Sequence, residues 1–120
     1  MNTYRLPARV LKALAHPARL RLLNALRDGE ECVCHLTALL HKRQAYVSQQ
    51  LMFLRQAGLI ADRKDGLRIY YRIKDRRVLQ VLEAVNALAR VKGVVAEPRV
   101  LAKCPCPKCQ ARGAREKRNG

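Results

Sequence analysis

QAYVSQQLMFLRQAGLIADRKDGLRIYYRI, residues 44–73, decides the fold, because its hydrophobic pattern changes period partway along. From Gln44 to Ala57, Val47, Leu51 and Leu54 recur at helical spacing, which predicts a helix with one buried face. Gly58 follows as its C-terminal cap. From Leu59 onward the pattern alternates, and Asp65-Gly66 is a two-residue hairpin signal between two β-prone runs. Leu67, Ile69, Tyr71 and Ile73 are expected on one face, with Arg68, Tyr70 and Arg72 on the other. That turn sets Arg63 directly across from Arg68. Opposed like charges destabilise a sheet unless something anionic lies against them, so the pairing hints at phosphate.

Working outward toward the N-terminus, Pro7 and Pro17 each suit the first turn of a helix, and Pro17 disfavours helix at His16. Two short helices are therefore expected to meet at His16-Pro17, the second running to Asp28 and stopping at Gly29. A third is expected over 33–41, with Val33, Leu36, Leu39 and Leu40 inward. After the hairpin, 75–96 reads as one long helix with a stripe of Val78, Leu82, Val85, Leu88 and Ala89, suited to packing on the core or on a second subunit. The tail from 98 to 120, rich in Pro, Gly and charge, is expected to lie apart from a domain spanning 1–97. Trp is absent and Phe53 is the only Phe, so the core must be aliphatic.

Twenty-five Lys and Arg against nine Asp and Glu give a formal charge of +16. A surplus this large repels itself in a compact domain and persists most easily beside an extended polyanion, which makes nucleic acid the leading partner class. No apolar run approaches the ~20 residues that span a bilayer. The first twenty residues are broken by charge and proline where a signal peptide needs an unbroken apolar stretch, and a cytoplasmic location is expected.

Helix, short turn through Lys42 and Arg43, helix, then basic ribbon: this order reads as a winged helix-turn-helix, mainly α with about five helices and a two-stranded wing. Such a fold sets its second helix in the major groove of double-stranded DNA, while the ribbon reaches the adjoining backbone or minor groove. The amides of Gln44 and Gln49 suit bidentate contact with adenine, Ser48 can serve a base or a phosphate, and Tyr46 could stack or touch a thymine methyl. Arg43, Arg63, Lys64, Arg68 and Arg72 are candidates for phosphate positioning.

In ALAHPARLRLLNAL (13–26), ECVCHL (31–36), SQQLMFLRQAGLI (48–60) and DRKDGLRIYYRI (62–73), in that order and spacing, the chain resembles the ArsR/SmtB family of metal-responsive winged-helix repressors over roughly residues 10 to 75. The resemblance implies a homodimer, paired through its first and last helices, that represses metal-resistance or efflux genes and leaves operator DNA when metal binds. It would place Gln44 to Gln50, Gln50 included, on the recognition helix, and Cys32 and Cys34 in the family's metal site at the start of the third helix.

Cysteines two apart inside a regular helix point to nearly opposite sides, each residue turning about 100°. At a helix start Cys32 can stay extended while Cys34 sits in the first turn, and one ion can then take both sulfurs. Two are too few: Cd(II), Pb(II) and Zn(II) generally want three or four thiolate or mixed ligands, and As(III) three sulfurs. Thr37 stands where the arsenic-sensing branch often has a third cysteine. The missing thiols are available in the tail as Cys104, Cys106 and Cys109, which could share the Cys32/Cys34 site, form their own, or bind nothing. His35 is either an exposed histidine or a nitrogen ligand; His16 is expected to be structural and His41 to be at the surface. Alongside a repressor released by a soft metal or metalloid stands a winged-helix regulator whose thiols sense redox state or persulfide. A thiol oxidoreductase built on Cys106-Pro107-Lys108-Cys109 lacks the preceding strand and following amphipathic helix, and a metal-buffering protein would not need the winged helix.

Overall fold

The computed structural model describes residues 3–92. Helices α1 (Arg5–Leu14) and α2 (Pro17–Ala25) meet at His16, whose extended backbone (φ −156°, ψ 128°) breaks the helical path ahead of Pro17. Its Nδ1 accepts the Ala18 N–H at 3.1 Å, so His16 caps α2 while Pro17 fills the first position, where no N–H is needed. A two-residue strand β1 (Glu31–Cys32) runs straight into α3 (Val33–Leu40). His41 then adopts a left-handed conformation (φ 53°), which ends α3 and turns the chain through Lys42 into α4 (Gln44–Gln56). Strands β2 (Ile60–Asp65) and β3 (Arg68–Ile73) form the wing, and α5 (Arg77–Leu88) closes the described fold.

Leu22, Leu23, Leu26, Leu36, Val47, Leu51 and Leu54 are essentially inaccessible and pack α2, α3 and α4 into one core, to which Ile60, Tyr71 and Ile73 fasten the wing. Each such side chain contributes about 1.5–3 kcal/mol by leaving water, which makes the relative placement of α4 and the wing a property of the core.

Four expectations are corrected. The sheet has three strands in the order β1-β3-β2, because Glu31 and Cys32 pair antiparallel with Tyr71 and Tyr70; two residues are too few to show a period in sequence. The hairpin loop is Gly66-Leu67, one residue later than expected. Gly66 takes φ +60° at the first central position, as a type II′ turn requires, and Asp65 stays in the strand opposite Arg68. Arg63 therefore faces Tyr70, not Arg68, and the like-charge pairing vanishes. Leu67 is fully exposed at the tip, while Tyr70 is buried, because Cys32 of β1 covers the face of β3 expected to lie open. Finally, α5 ends at Leu88, with Arg90 in a left-handed turn (φ 62°), short of the expected 96. The expected tail and its three cysteines lie outside the described residues.

Candidate nucleic-acid interface and thiol site

Gln44, Ser48 and Gln49 are exposed on the N-terminal half of α4, with Arg43 exposed at its N-cap; Tyr46 is half-buried against the core. No side chain caps α4, so the N–H groups of its first turn keep their hydrogen-bonding capacity. Gln50 is the exception among the expected reading residues. It is 5% exposed, and its Oε1 accepts from Arg19 Nε at 2.9 Å. Arg19 also donates to the backbone carbonyls of Lys12 and Ala13 and stacks over the Phe53 ring at 4.3 Å. Gln50 thus fixes α4 against α1 and α2 from inside, and an i, i+3 position relative to Val47 was the sequence signal for it.

On the wing, Lys64 and Arg72 are exposed. Arg63 is engaged: its guanidinium forms a fork with Glu30, at 2.6 and 3.1 Å, and lies 4.8 Å from the centre of the Tyr70 ring. The hydrogen bonds that Arg63 donates to the Glu30 carboxylate are the main reason that its pKa lies above its ordinary value. Thirty-three residues separate the pair, and no sequence period connects them.

Cys32 and Cys34 meet at the junction of β1 and α3. Cys32 has β conformation (φ −78°, ψ 155°) as the N-cap of α3, and Cys34 lies in the first turn, as the spacing required. Their Cα atoms are 5.3 Å apart and their sulfurs are joined in a disulfide. Cys32 Sγ, 1% exposed, accepts the His35 N–H at 3.2 Å. Cys34 is half-exposed, and Arg68 Nη1 donates to its sulfur at 3.6 Å. Behind them His35 is buried, contrary to the expected exposed histidine, with Nδ1 3.7 Å from the buried carboxylate of Glu31 on β1. Among the described residues no group of three or more His, Cys, Asp or Glu side chains is arranged to hold a metal ion.

A cavity of about 680 Å³ opens beside the disulfide, and its wall includes Cys34, Thr37, Lys42, Gln44 and Arg68. It connects the thiol pair with both elements that would touch DNA: Gln44 opens α4, and Arg68 begins β3. Sequence spacing alone gave no sign of the Arg68–Cys34 contact.

Three tightly packed helices, a helix-turn-helix with its second helix exposed along one edge, and a basic hairpin define a winged-helix DNA-binding domain. The family model for the bacterial regulatory proteins of the arsR family matches residues 16–62. The chain is 43% identical over 79 residues to the biofilm growth-associated repressor of Agrobacterium fabrum, covering 66% of this chain and 68% of that protein. It is 41% identical over 90 residues to an arsenic resistance transcriptional regulator of Pseudomonas putida, covering 74% of this chain and 66% of that one. The solution structure of a homodimeric winged helix-turn-helix DNA-binding domain from Mycobacterium bovis, a possible ArsR-family regulator, superposes with a TM-score of 0.65 at 33% identity, covering 72% and 81% of the two chains. The chain belongs to the ArsR/SmtB family of winged-helix transcriptional repressors, and it is not an enzyme.

Proposed function

We propose that the protein is a cytoplasmic homodimer that represses transcription by binding double-stranded operator DNA, and that it leaves DNA when a soft metal or metalloid ion, As(III), Cd(II), Pb(II) or Zn(II), binds its reduced cysteines. The observation that carries this reading is the placement of Cys32 and Cys34 across the β1–α3 junction, with Cys34 touching Arg68 and sharing a cavity with Gln44. An ion that draws the two sulfurs toward further ligands moves the strand paired to the wing and the helix under α4 together. Metal affinity and DNA affinity are then coupled reciprocally.

DNA would be read by Gln44, Ser48 and Gln49, with Tyr46 at the edge and the first-turn N–H groups of α4 on a phosphate. Arg43, Lys64, Arg68 and Arg72 would position the backbone, and Arg63 would join them on leaving Glu30. Two sulfurs fit a soft ion incompletely, and Cys104, Cys106 and Cys109, from the same or the partner subunit, are proposed to complete the set. The homodimer is supported by apolar side chains left open on α1 and α5, Leu6, Leu11, Val85 and Leu88 among them. Among the described residues no helix is long and apolar enough to cross a membrane.

The disulfide itself favours a second reading, in which oxidation of the pair is the signal. Fluorescence anisotropy of the reduced protein on DNA from upstream of its own gene, under anaerobic conditions, separates the two. Near-stoichiometric release by an ion, lost in Cys32→Ser, supports the metal reading; release by diamide without metal supports the redox reading. DNA binding that neither treatment weakens would refute control through the thiols.

A further inference from the structure

The cavity beside the disulfide has a chemistry of its own. Val33, Ala38, Leu67 and Ile69 supply apolar wall, the charged groups at it are the cations Lys42 and Arg68, and none of the described residues lining it is acidic. An apolar wall with two cations and no acidic group suits a small ligand with an apolar body and a carboxylate.

The two sulfurs stand differently toward that space. Cys32 is 1% exposed and tied to the His35 N–H, whereas Cys34 is half-exposed with the Arg68 guanidinium at its sulfur. Of the two sulfurs Cys34 is therefore the one open to a reagent in the cavity, and the Arg68 guanidinium beside it can meet an anionic one.

We propose that this cavity receives an anionic organic disulfide, and that Cys34 attacks it and Cys32 resolves the product. The proposal rests on the redox reading above and deepens it by naming the class of oxidant. The Cys34 thiolate attacks one sulfur of the organic disulfide, forming a mixed disulfide and expelling one organic thiolate. The Cys32 thiolate then attacks the Cys34 sulfur, expels the second organic thiolate and leaves the Cys32–Cys34 bond seen in the structure. Two protein thiols are oxidised, one organic disulfide is reduced to two thiols, and the protons of the protein thiols end on those products.

The test uses the full chain with Cys104→Ser, Cys106→Ser and Cys109→Ser, reduced and free of DNA. Its reaction with dithiobis(nitrobenzoate), an anionic aromatic disulfide, and with neutral dithiodipyridine is followed by stopped-flow absorbance. With Cys32→Ser added, Cys34 should form a stable mixed disulfide about tenfold faster than Cys32 does in the Cys34→Ser chain. Lys42→Ala should lower the anionic-to-neutral rate ratio about fivefold, the loss expected for one steering charge, and Arg68→Ala should also lower the ratio while Arg68→Lys restores it. Equal reactivity of the two cysteines, or a rate ratio indifferent to Lys42 and Arg68, would overturn the proposal. Because the rates are read without DNA, exchange that proceeds as described while oxidised protein stays on its operator would count against the redox reading alone.

Discussion

Replacing Cys32 by Ala and by Ser separates its capping role from its thiol chemistry. Its sulfur satisfies the His35 N–H at the start of α3 and fills a site that is 1% exposed, beside Tyr70. Ala removes the acceptor and the buried atom together. Losing a cap to Ala costs about 0.5–2 kcal/mol, and a sulfur acceptor belongs at the low end of that range. The emptied volume adds on the order of 1 kcal/mol, for a total of about 1.5 kcal/mol. Ser keeps an acceptor, and a better one, so its net cost should stay below about 1 kcal/mol despite the buried hydroxyl. The two variants should therefore differ by about 0.5 kcal/mol or more, which is roughly 2–4 °C or more in Tm for a domain of this size. Melts belong in strong reductant, because the chain-entropy relation credits a three-residue loop closed by the disulfide with about 1.6 kcal/mol. Protein concentration must also be held fixed, since a dimer melts at a concentration-dependent temperature. Equal melting of the Ala and Ser variants, or a less stable Ser variant, would refute the capping role.

Gln49→Ala should weaken operator binding by about 1–3 kcal/mol, with little effect on random DNA, whereas Gln50→Ala should lower stability by about 1–3 kcal/mol through Arg19 and leave sequence preference unchanged; paired binding isotherms and melts check both. Glu30→Ala removes the acceptor that holds Arg63, so the slope of log K against log salt should steepen by up to about 0.9 if the guanidinium then reaches a phosphate. The Asp75 carboxyl, held by the side chain and backbone N–H of Arg77, titrates at about 2. Its depressed pKa adds stability that is complete above the ordinary value of 3.8 and is lost as pH falls toward and through 2, and carboxyl NMR together with acid unfolding of Asp75→Asn reads this directly. Leu88→Asp places a charge on the open face of α5 and should shift sedimentation toward monomer.

Most of the architecture was legible because its signals are local. The switch from helical to alternating spacing between Val47 and Ile73, the His16-Pro17 break and Gly58 each act within a few residues, and each is where the sequence places it. The errors come from contacts across the chain. Tyr70 reads as outward until β1 covers it, Gln50 reads as a DNA-facing amide until Arg19 arrives from thirty-one residues away, and Arg63 reads as free until Glu30 meets it. The hairpin missed by one residue because Asp65-Gly66 and Gly66-Leu67 are both permissible turns, and the Asp65–Arg68 pairing favours the second. The CxC spacing announced the thiol pair and its helix-start geometry; it could not announce which wing cation would lie against Cys34.

The atom that caps α3 at Cys32 is also one of the two that would sense. Serine is at least as good a cap, so a single change of sulfur to oxygen would silence the response while leaving the fold and its grip on DNA in place. An inducible regulator of this design is one substitution from a constitutive one, and one substitution back. Descendants of such a chain can lose and regain a chemical signal without ever passing through an unfolded intermediate sequence.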